Sequence, residues 1–274
     1  MDPLIVGVKF SRIGKIYHFD ARNIPDIKPG DRIIVETSRS WQLGEVTHFI
    51  SQEESNQPGS WKLIERKATP VDLLIHRDWQ NKENEIVQVC QNKVTEMKLQ
   101  GVKIVDAEYS YDGTRLTILY CSETEEKVDH NNLRQFLQKK YQSTKIDIRQ
   151  IGPRDFAKII GGLGACGLEK RCCSKFLTEF SSISIRMAKE QNVSLTPSEI
   201  TGMCGRLRCC LCYEYEQYTS ARKKFPTKAK KVLTPLGIGK IVEIFPLKET
   251  ALIDVEEIGF HEFSSEEVKE YSGK

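Results

Sequence analysis

No apolar run in the sequence approaches the ~18 residues that span a bilayer, so no transmembrane helix is expected. The start, Met1-Asp2-Pro3-Leu4-Ile5-Val6, carries neither a basic n-region nor a long apolar h-region, and no secretory leader is read there. Both absences point to a cytoplasmic protein. Histidine is scarce. There are five (His18, His48, His76, His130, His261), and none lies among the clustered cysteines, so Cys–His nucleophilic catalysis has little support. No Cys-x-x-Cys sits in a thioredoxin-like strand–helix–strand setting, which argues against a redox catalyst. The expectation is a non-enzymatic protein. What is present is an ordinary globular balance of 39% hydrophobic and 29% charged residues. Its 274 residues suffice for one large domain or two to three small ones.

A net charge of +3 says little, but its distribution says more. Lys139 to Lys175 holds nine basic residues against three acids, and Thr201 to Lys231 holds eight against two. Val232 to Lys274 reverses this, with four basic residues against nine acids. A basic middle suits a phosphate-rich partner. It equally suits a solvated surface that balances the chain's own acidic tail.

The pattern of elements predicts an α+β protein: a small N-terminal β-barrel over 1–68, a helical connector over 69–100, an α/β core with a helical cysteine-rich region over 101–222, and a small C-terminal β-barrel over 223–274. Leu4–Phe10, Lys15–Phe19, Arg32–Glu36 and Gly44–Phe49 are rich in β-branched and aromatic residues, with Pro29-Gly30-Asp31 as turn chemistry. Ser51 to Ser60 reads as a loop. Ile86, Cys90, Val94 and Met97 share one face of a helix over 82–99. Strands follow at Val102–Tyr109, Arg115–Cys121 and Lys145–Ile151, with a helix over Val128–Tyr141 before the last. Strand patterns return at Ile238–Phe245, Ala251–Val255 and His261–Phe263, and Gly14-Lys15-Ile16 with Gly239-Lys240-Ile241 hints at a shared architecture of the two ends.

The chemistry concentrates in the cysteines. Seven of the nine fall between Cys166 and Cys212. Two segments repeat: Gly164-Ala165-Cys166-Gly167 followed by Cys172-Cys173, and Gly202-Met203-Cys204-Gly205 followed by Cys209-Cys210. Repeated thiol motifs are a way to converge four sulfurs on one point. Disulfides are disfavoured in a reducing cytosol. Zinc takes four thiolates from Cys-x2-4-Cys knuckles, which Cys204-x4-Cys209 meets and Cys166-x5-Cys172 does not. An iron–sulfur cluster tolerates wider spacing. The surrounding glycines would let backbone N–H groups approach sulfur, and Arg171, Arg206 and Arg208 would offset its charge. The candidate ligands are Cys166, Cys172, Cys204 and Cys209, with Cys173 and Cys210 as alternatives and Cys212 as a spare. Cluster, zinc and packed unmetallated thiols all stay open. Cys90 reads as core and Cys121 as a structural strand end.

Between the segments an amphipathic helix is expected, with Phe176, Phe180, Ile183 and Met187 as its buried stripe. Thr196-Pro197-Ser198-Glu199 predicts a capping box opening the next helix. The cysteines would then lie at helix ends, where a helix N-terminus lowers thiol pKa. Gly161-Gly162-Leu163-Gly164 contains the Gly-x-x-Gly with which KH domains clamp single-stranded RNA. Arg154, Lys158, Gly161, Gly164, Lys170 and Arg171 are the candidate nucleic-acid contacts, against the plainer reading that the glycines only allow a tight turn beside Cys166.

Ile151-Gly152-Pro153-Arg154-Asp155, the Gly161-Gly162-x-Gly164-x-Cys166-Gly167 turn, Cys172-Cys173-x2-Phe176-Leu177, Met187-Ala188-Lys189 and Gly202-x-Cys204-Gly205-Arg206-Leu207-x-Cys209-Cys210 together resemble the bacterial YaaT/RicT family. The likeness runs from about Ile5 through Tyr218, and includes Gly14-Lys15-x-Tyr17-x-Phe19 and Gly30-Asp31 with Val35-Glu36-Thr37. It implies a cytoplasmic regulatory subunit that carries an iron–sulfur cluster of the 4Fe-4S type. Its implied partners are small helical RicA- and RicF-like proteins and ribonuclease Y, whose processing of messenger RNA it directs. Roles in sporulation, competence and biofilm formation belong to some members. Leu168 stands where the family has arginine, and the spacing to the Cys pair is longer, which leaves Cys172 and Cys173 open as alternatives.

Overall fold

The computed structural model describes residues 4–11, 13–38, 40–50, 61–99, 101–122, 130–177, 180–226 and 231–271. The expected loop at Ser51 to Ser60 lies outside them. The chain divides into two compact units, Met1–Glu179 and Phe180–Lys274.

The first unit opens with strands β1 (Ile5–Lys9), β2 (Ile16–Asp20), β3 (Arg32–Glu36), β4 (Trp41–Phe49) and β5 (Arg66–Lys67), paired antiparallel in the order β2-β1-β4-β3-β5. Alternating apolar side chains put Val6, Val8, Phe19, Ile33, Val35 and Val46 inside. One segment serves both edges. Asp20 N–H donates to the Lys62 carbonyl (2.9 Å) and Ile64 N–H to the Asp20 carbonyl (2.9 Å), while the next residues pair with β3 as β5. The expected barrel is thus a curled five-stranded sheet.

Helix α1 (Pro70–Glu96) begins twelve residues before the predicted helix. Its start follows from a cap. Thr69 Oγ1 accepts from Asp72 N–H (3.3 Å), the Asp72 carboxylate accepts from Thr69 N–H (2.7 Å), and Pro70 occupies the first helical position. The apolar stripe gives no warning of this half, because Val71, Leu73, Leu74 and Ile75 are exposed. The second half behaves as predicted: Ile86, Cys90 and Val94 pack on a sheet of β6 (Val102–Tyr109), β7 (Arg115–Ser122) and β8 (Lys145–Gln150). β6 and β7 form a hairpin, and β7 and β8 run parallel, which requires a crossover. Helix α2 (Asn131–Lys140) supplies it and buries Leu133 and Leu137. Gly113 takes φ +68° in the β6–β7 turn and the Trp79 ring lies 2.5 Å from where a Cβ would stand, so only glycine fits. Helices α3 (Pro153–Ile160) and α4 (Cys172–Lys175) complete the unit.

The second unit begins with α5 (Ile185–Glu190), α6 (Pro197–Ile200), α7 (Cys210–Tyr213) and α8 (Tyr215–Lys223). It then forms β9 (Lys231–Thr234), β10 (Gly237–Phe245), β11 (Thr250–Val255), β12 (Gly259–Ser264) and β13 (Lys269–Glu270) in the order β12-β11-β10-β9-β13. Ser264 and Lys269 end and begin the two edge strands. Five Cα steps reach at most ~18 Å, whereas four strand spacings of a flat sheet need ~19 Å. A turn closed by Glu267 N–H on the Ser264 carbonyl (3.2 Å) shortens the reach further. This sheet is therefore curled as well, around Val232, Ile241, Ile244, Ile253, Val255 and Phe263. Its strand order differs from that of β1–β5, so the Gly-Lys-Ile likeness does not extend to a shared topology.

Two local expectations are corrected. Among the described residues no single helix runs from Phe176 to Met187: α4 ends at Lys175, α5 starts at Ile185, and Phe176 is 52% exposed. At α6, Pro197 holds the first position, but Thr196 makes no side-chain cap bond and the helix is four residues long.

Candidate functional site

The two cysteine segments fold alike. In the first, Gly164 N–H donates to the Leu168 carbonyl (2.8 Å) and Gly167 N–H to the Gly164 carbonyl (3.0 Å). In the second, Gly202 N–H donates to the Arg206 carbonyl (2.8 Å) and Gly205 N–H to the Gly202 carbonyl (2.9 Å). Gly167 and Gly205, each just after the cysteine, take φ +86° and +74°, a left-handed conformation that favours glycine. The leading glycine has its own reason. The Cys166 sulfur lies 3.4 Å from where a Cβ on Gly164 would stand, and the Cys204 sulfur 3.8 Å from that of Gly202. The Gly-x-Cys-Gly pattern thus encodes a turn that folds its sulfur back over its own first residue.

A short helix follows each turn, and the helices settle which cysteines correspond. Cys172 and Cys210 are the first residues of α4 and α7, each six positions after the turn cysteine. Cys173 and Leu211 come next, and both are buried, at 8% and 2% exposure. The structural repeat is therefore Cys166 with Cys172, and Cys204 with Cys210. Cys209 stands at the cap position of α7, where the first repeat has Arg171. The difference in spacing seen in the sequence comes from matching adjacent pairs rather than helix positions.

Cys166 is exposed, and Cys172, Cys204, Cys209, Cys210 and Cys212 are half-buried. Cysteines do lie at helix starts, as expected. Helices α4 and α7 have four residues each. Among the described residues no three His, Cys, Asp or Glu side chains are gathered as a metal ion requires. The repeat supplies donors of the right kind, soft thiols on backbone-rich turns, but not a closed ligand set. Exposed apolar side chains flank each turn: Leu163 and Leu168 at the first, Met203 and Tyr213 at the second.

The six candidate nucleic-acid contacts separate by environment. Lys158 is buried, and burial foremost, with Lys9 nearby, holds its pKa below the ordinary lysine range. Arg171 is committed within the fold: its Nη1 donates to the Ala157 carbonyl (2.6 Å) and its Nε to the Leu163 carbonyl (3.1 Å). Arg154 lies half-buried in the first turn of α3, and Lys170 is exposed. Gly161 and Gly162 take φ +68° and +92° after α3, and Gly164 belongs to the cysteine turn. The next helix starts only at Cys172, so this is an extended turn rather than a tight helix–turn–helix. Outside the region, Cys90 is fully buried and burial pushes its thiol up to about 12. Cys121 lies in β7, half-buried.

The chain is 36% identical over 252 residues to "Stage 0 sporulation protein YaaT" of Bacillus subtilis (strain 168), a match that covers 92% of this chain and 90% of that relative. The chain belongs to the YaaT/RicT family. Two family descriptions match parts of it: the PSP1 C-terminal conserved region over residues 62–151, and the third domain of PSP1-like proteins over residues 182–225. The first covers α1 with the β6–β8 sheet, and the second contains the Cys204 turn and α7. No solved structure matches the chain. No helix among the described residues is long and apolar enough to cross a membrane.

Cys209-Cys210-Leu211-Cys212 also contains a Cys-x-x-Cys, between Cys209 and Cys212, that the adjacent pair obscures in the sequence.

Proposed function

We propose that this YaaT/RicT family member is a non-enzymatic regulatory subunit that holds an iron–sulfur cluster, of the 4Fe-4S type, on the cysteines of its two turns. The observation that carries the reading is the structural repeat, with Cys166 and Cys172 in one copy and Cys204 and Cys210 in the other. The cluster would supply a soft, negatively charged centre for thiolates and backbone N–H groups to hold. Gathering of the thiols accompanies metal binding in this reading, as is common for small thiolate sites. Cys173, packed like Leu211, is the weaker ligand candidate of its pair.

The wider role follows the family. Small helical RicA- and RicF-like proteins and ribonuclease Y are the proposed partners, and modulation of messenger RNA processing the proposed output. The relative's name links that protein to sporulation. Exposed Leu163, Leu168, Met203 and Tyr213 beside the turns give a partner apolar surface to cover. In the RNA contact of this reading the exposed Lys170 comes before the buried Lys158 and before Arg171, whose guanidinium holds the carbonyls of Ala157 and Leu163.

Purification under argon followed by iron, acid-labile sulfide and zinc analysis tests the reading. Brown protein with iron and sulfide is expected. Colourless protein with one zinc per chain would overturn the cluster in favour of a zinc-stabilised nucleic-acid-binding or structural adaptor.

A further inference from the structure

The C-terminal sheet carries charge and exposed apolar side chains that the cysteine turns do not use. Val232 to Lys274 holds nine acids against four basic residues. Strand β12 lies at one end of the order β12-β11-β10-β9-β13. Among the described residues it pairs with β11 alone, over six consecutive positions with no register shift. Its sequence, Gly259-Phe260-His261-Glu262-Phe263-Ser264, contains neither lysine nor proline, the residues that commonly guard an open edge. Phe260, His261 and Glu262 are all exposed, so the strand is uncovered on both faces at this point. Ile253, opposite His261 on β11, is by contrast fully buried.

The outer face beside this edge mixes apolar and acidic groups. Phe260 is the most exposed large hydrophobic side chain among the described residues, at 64%. It pairs with Asp254, and Glu262 pairs with Leu252. Strand β10 adds Glu243 beside Leu252, Lys240 beside Asp254, and exposed Val242 at the register shift. The core side chains Ile241, Ile253 and Phe263 alternate with these positions, which places them on the face away from the core. Thr250 and Lys248 (4.0 Å) both contact Glu262 through Oε1, which leaves Oε2 to a partner.

We propose that β12 is a docking edge for an extended, basic segment of a partner protein, in which lysine or arginine alternates with apolar residues. A strand added beside β12 turns every second side chain to one face. On one face such a segment carries a basic side chain to Glu262, and on the same face or the next an apolar one to Phe260. Charge selects this occupant over two others. A second copy would set two acidic sheets edge to edge, and RNA phosphates would meet the same repulsion.

The test uses the full-length chain and a fluorescein-labelled synthetic peptide in which lysine and valine alternate. Fluorescence anisotropy gives the affinity, and hydrogen exchange with mass spectrometry locates the peptide. Binding is expected, with slowed exchange over Gly259–Ser264. An isomer with its lysines and valines in separate blocks, and a peptide with glutamate in place of lysine, are each expected to bind about tenfold more weakly. Glu262→Lys and Phe260→Ser are expected to weaken the alternating peptide by a similar factor. Val71→Ser, which removes an exposed apolar side chain on α1, is expected to leave it unchanged. Circular dichroism confirms that each variant is folded. Absence of binding, equal binding of either control peptide, protection away from β12, or an effect of Val71→Ser as large as that of Phe260→Ser would overturn the proposal. So would a dimer that Phe260→Ser disperses in analytical ultracentrifugation, or a labelled single-stranded RNA that slows exchange over the same residues. None of these measurements reads metal content, so the cluster reading stands or falls separately.

Discussion

Cys90 and Cys204 carry the same thiol in opposite surroundings. Cys90 has no exposed surface and packs with Ile86, Val94 and the β6–β8 sheet. Cys90→Ser puts a hydroxyl into this apolar core, and a loss of about 1–3 kcal/mol in urea unfolding is expected, with metal content unchanged. Cys204→Ser is expected to remove bound iron with little change in that unfolding curve, as read by metal analysis beside it. Asp72 is a different kind of residue. Its buried carboxylate accepts from Arg66 and Tyr111, and from Thr69 N–H and Oγ1 (2.7 and 2.9 Å). Arg66 first, then Tyr111 and Thr69, hold it well below the usual carboxylate range against the opposing effect of burial. A depressed folded-state pKa stabilises above the unfolded value of about 3.9, and that stability fades as pH falls below it. Asp72→Asn is therefore expected to cost about 2 kcal/mol near neutral pH. The gap to the parent chain should narrow as pH is lowered towards about 2.5 in urea titrations.

The cysteine turns are elements in their own right, built by backbone hydrogen bonds and two glycines rather than by a core. Gly205 has φ +74° and nothing within 4 Å of where its Cβ would be, so space is free and only backbone conformation resists a side chain. Gly205→Ala should strain the turn by about 1 kcal/mol, whereas Gly205→Asn, a residue that tolerates this conformation, should cost less. Metal retention during a chelator titration, expected to fall in the order glycine, asparagine, alanine, checks this. Gly113 makes the contrast. There the Trp79 ring occupies the Cβ position, so Gly113→Ala should be more costly than Gly205→Ala in thermal unfolding. Helix α1 was only half legible. Ile86, Cys90 and Val94 announce its buried half, while its first turns depend on the Thr69–Asp72 box and carry exposed Val71 and Leu74.

At the scale of the whole molecule the chain has separate cores in two compact units. All three tryptophans, Trp41, Trp61 and Trp79, lie in Met1–Glu179. Tryptophan fluorescence therefore reports the first unit alone, while far-ultraviolet circular dichroism reports both. The two unfolding curves in urea are expected not to coincide, since units with their own cores need not melt together. Superimposable curves would show a single cooperative block.

The sequence by itself determined strands β1–β4, β6–β8 and β10–β12, the buried face of α1 around Cys90, and the doubled Gly-x-Cys-Gly pattern. These depend on local rules, namely alternation of buried side chains, helical periodicity and the conformational freedom of glycine. Tertiary structure decided the rest. It ended α4 at Lys175 and began α5 at Ile185, so the periodic Phe176–Met187 stripe is not one helix among the described residues. It buried Lys158, and it used Arg171 to hold the carbonyls of Ala157 and Leu163. It also matched Cys172 with Cys210 by their place in a helix, which spacing along the chain does not fix. A residue's neighbours in the folded chain, absent from any local pattern, determine whether its charge or thiol faces outward.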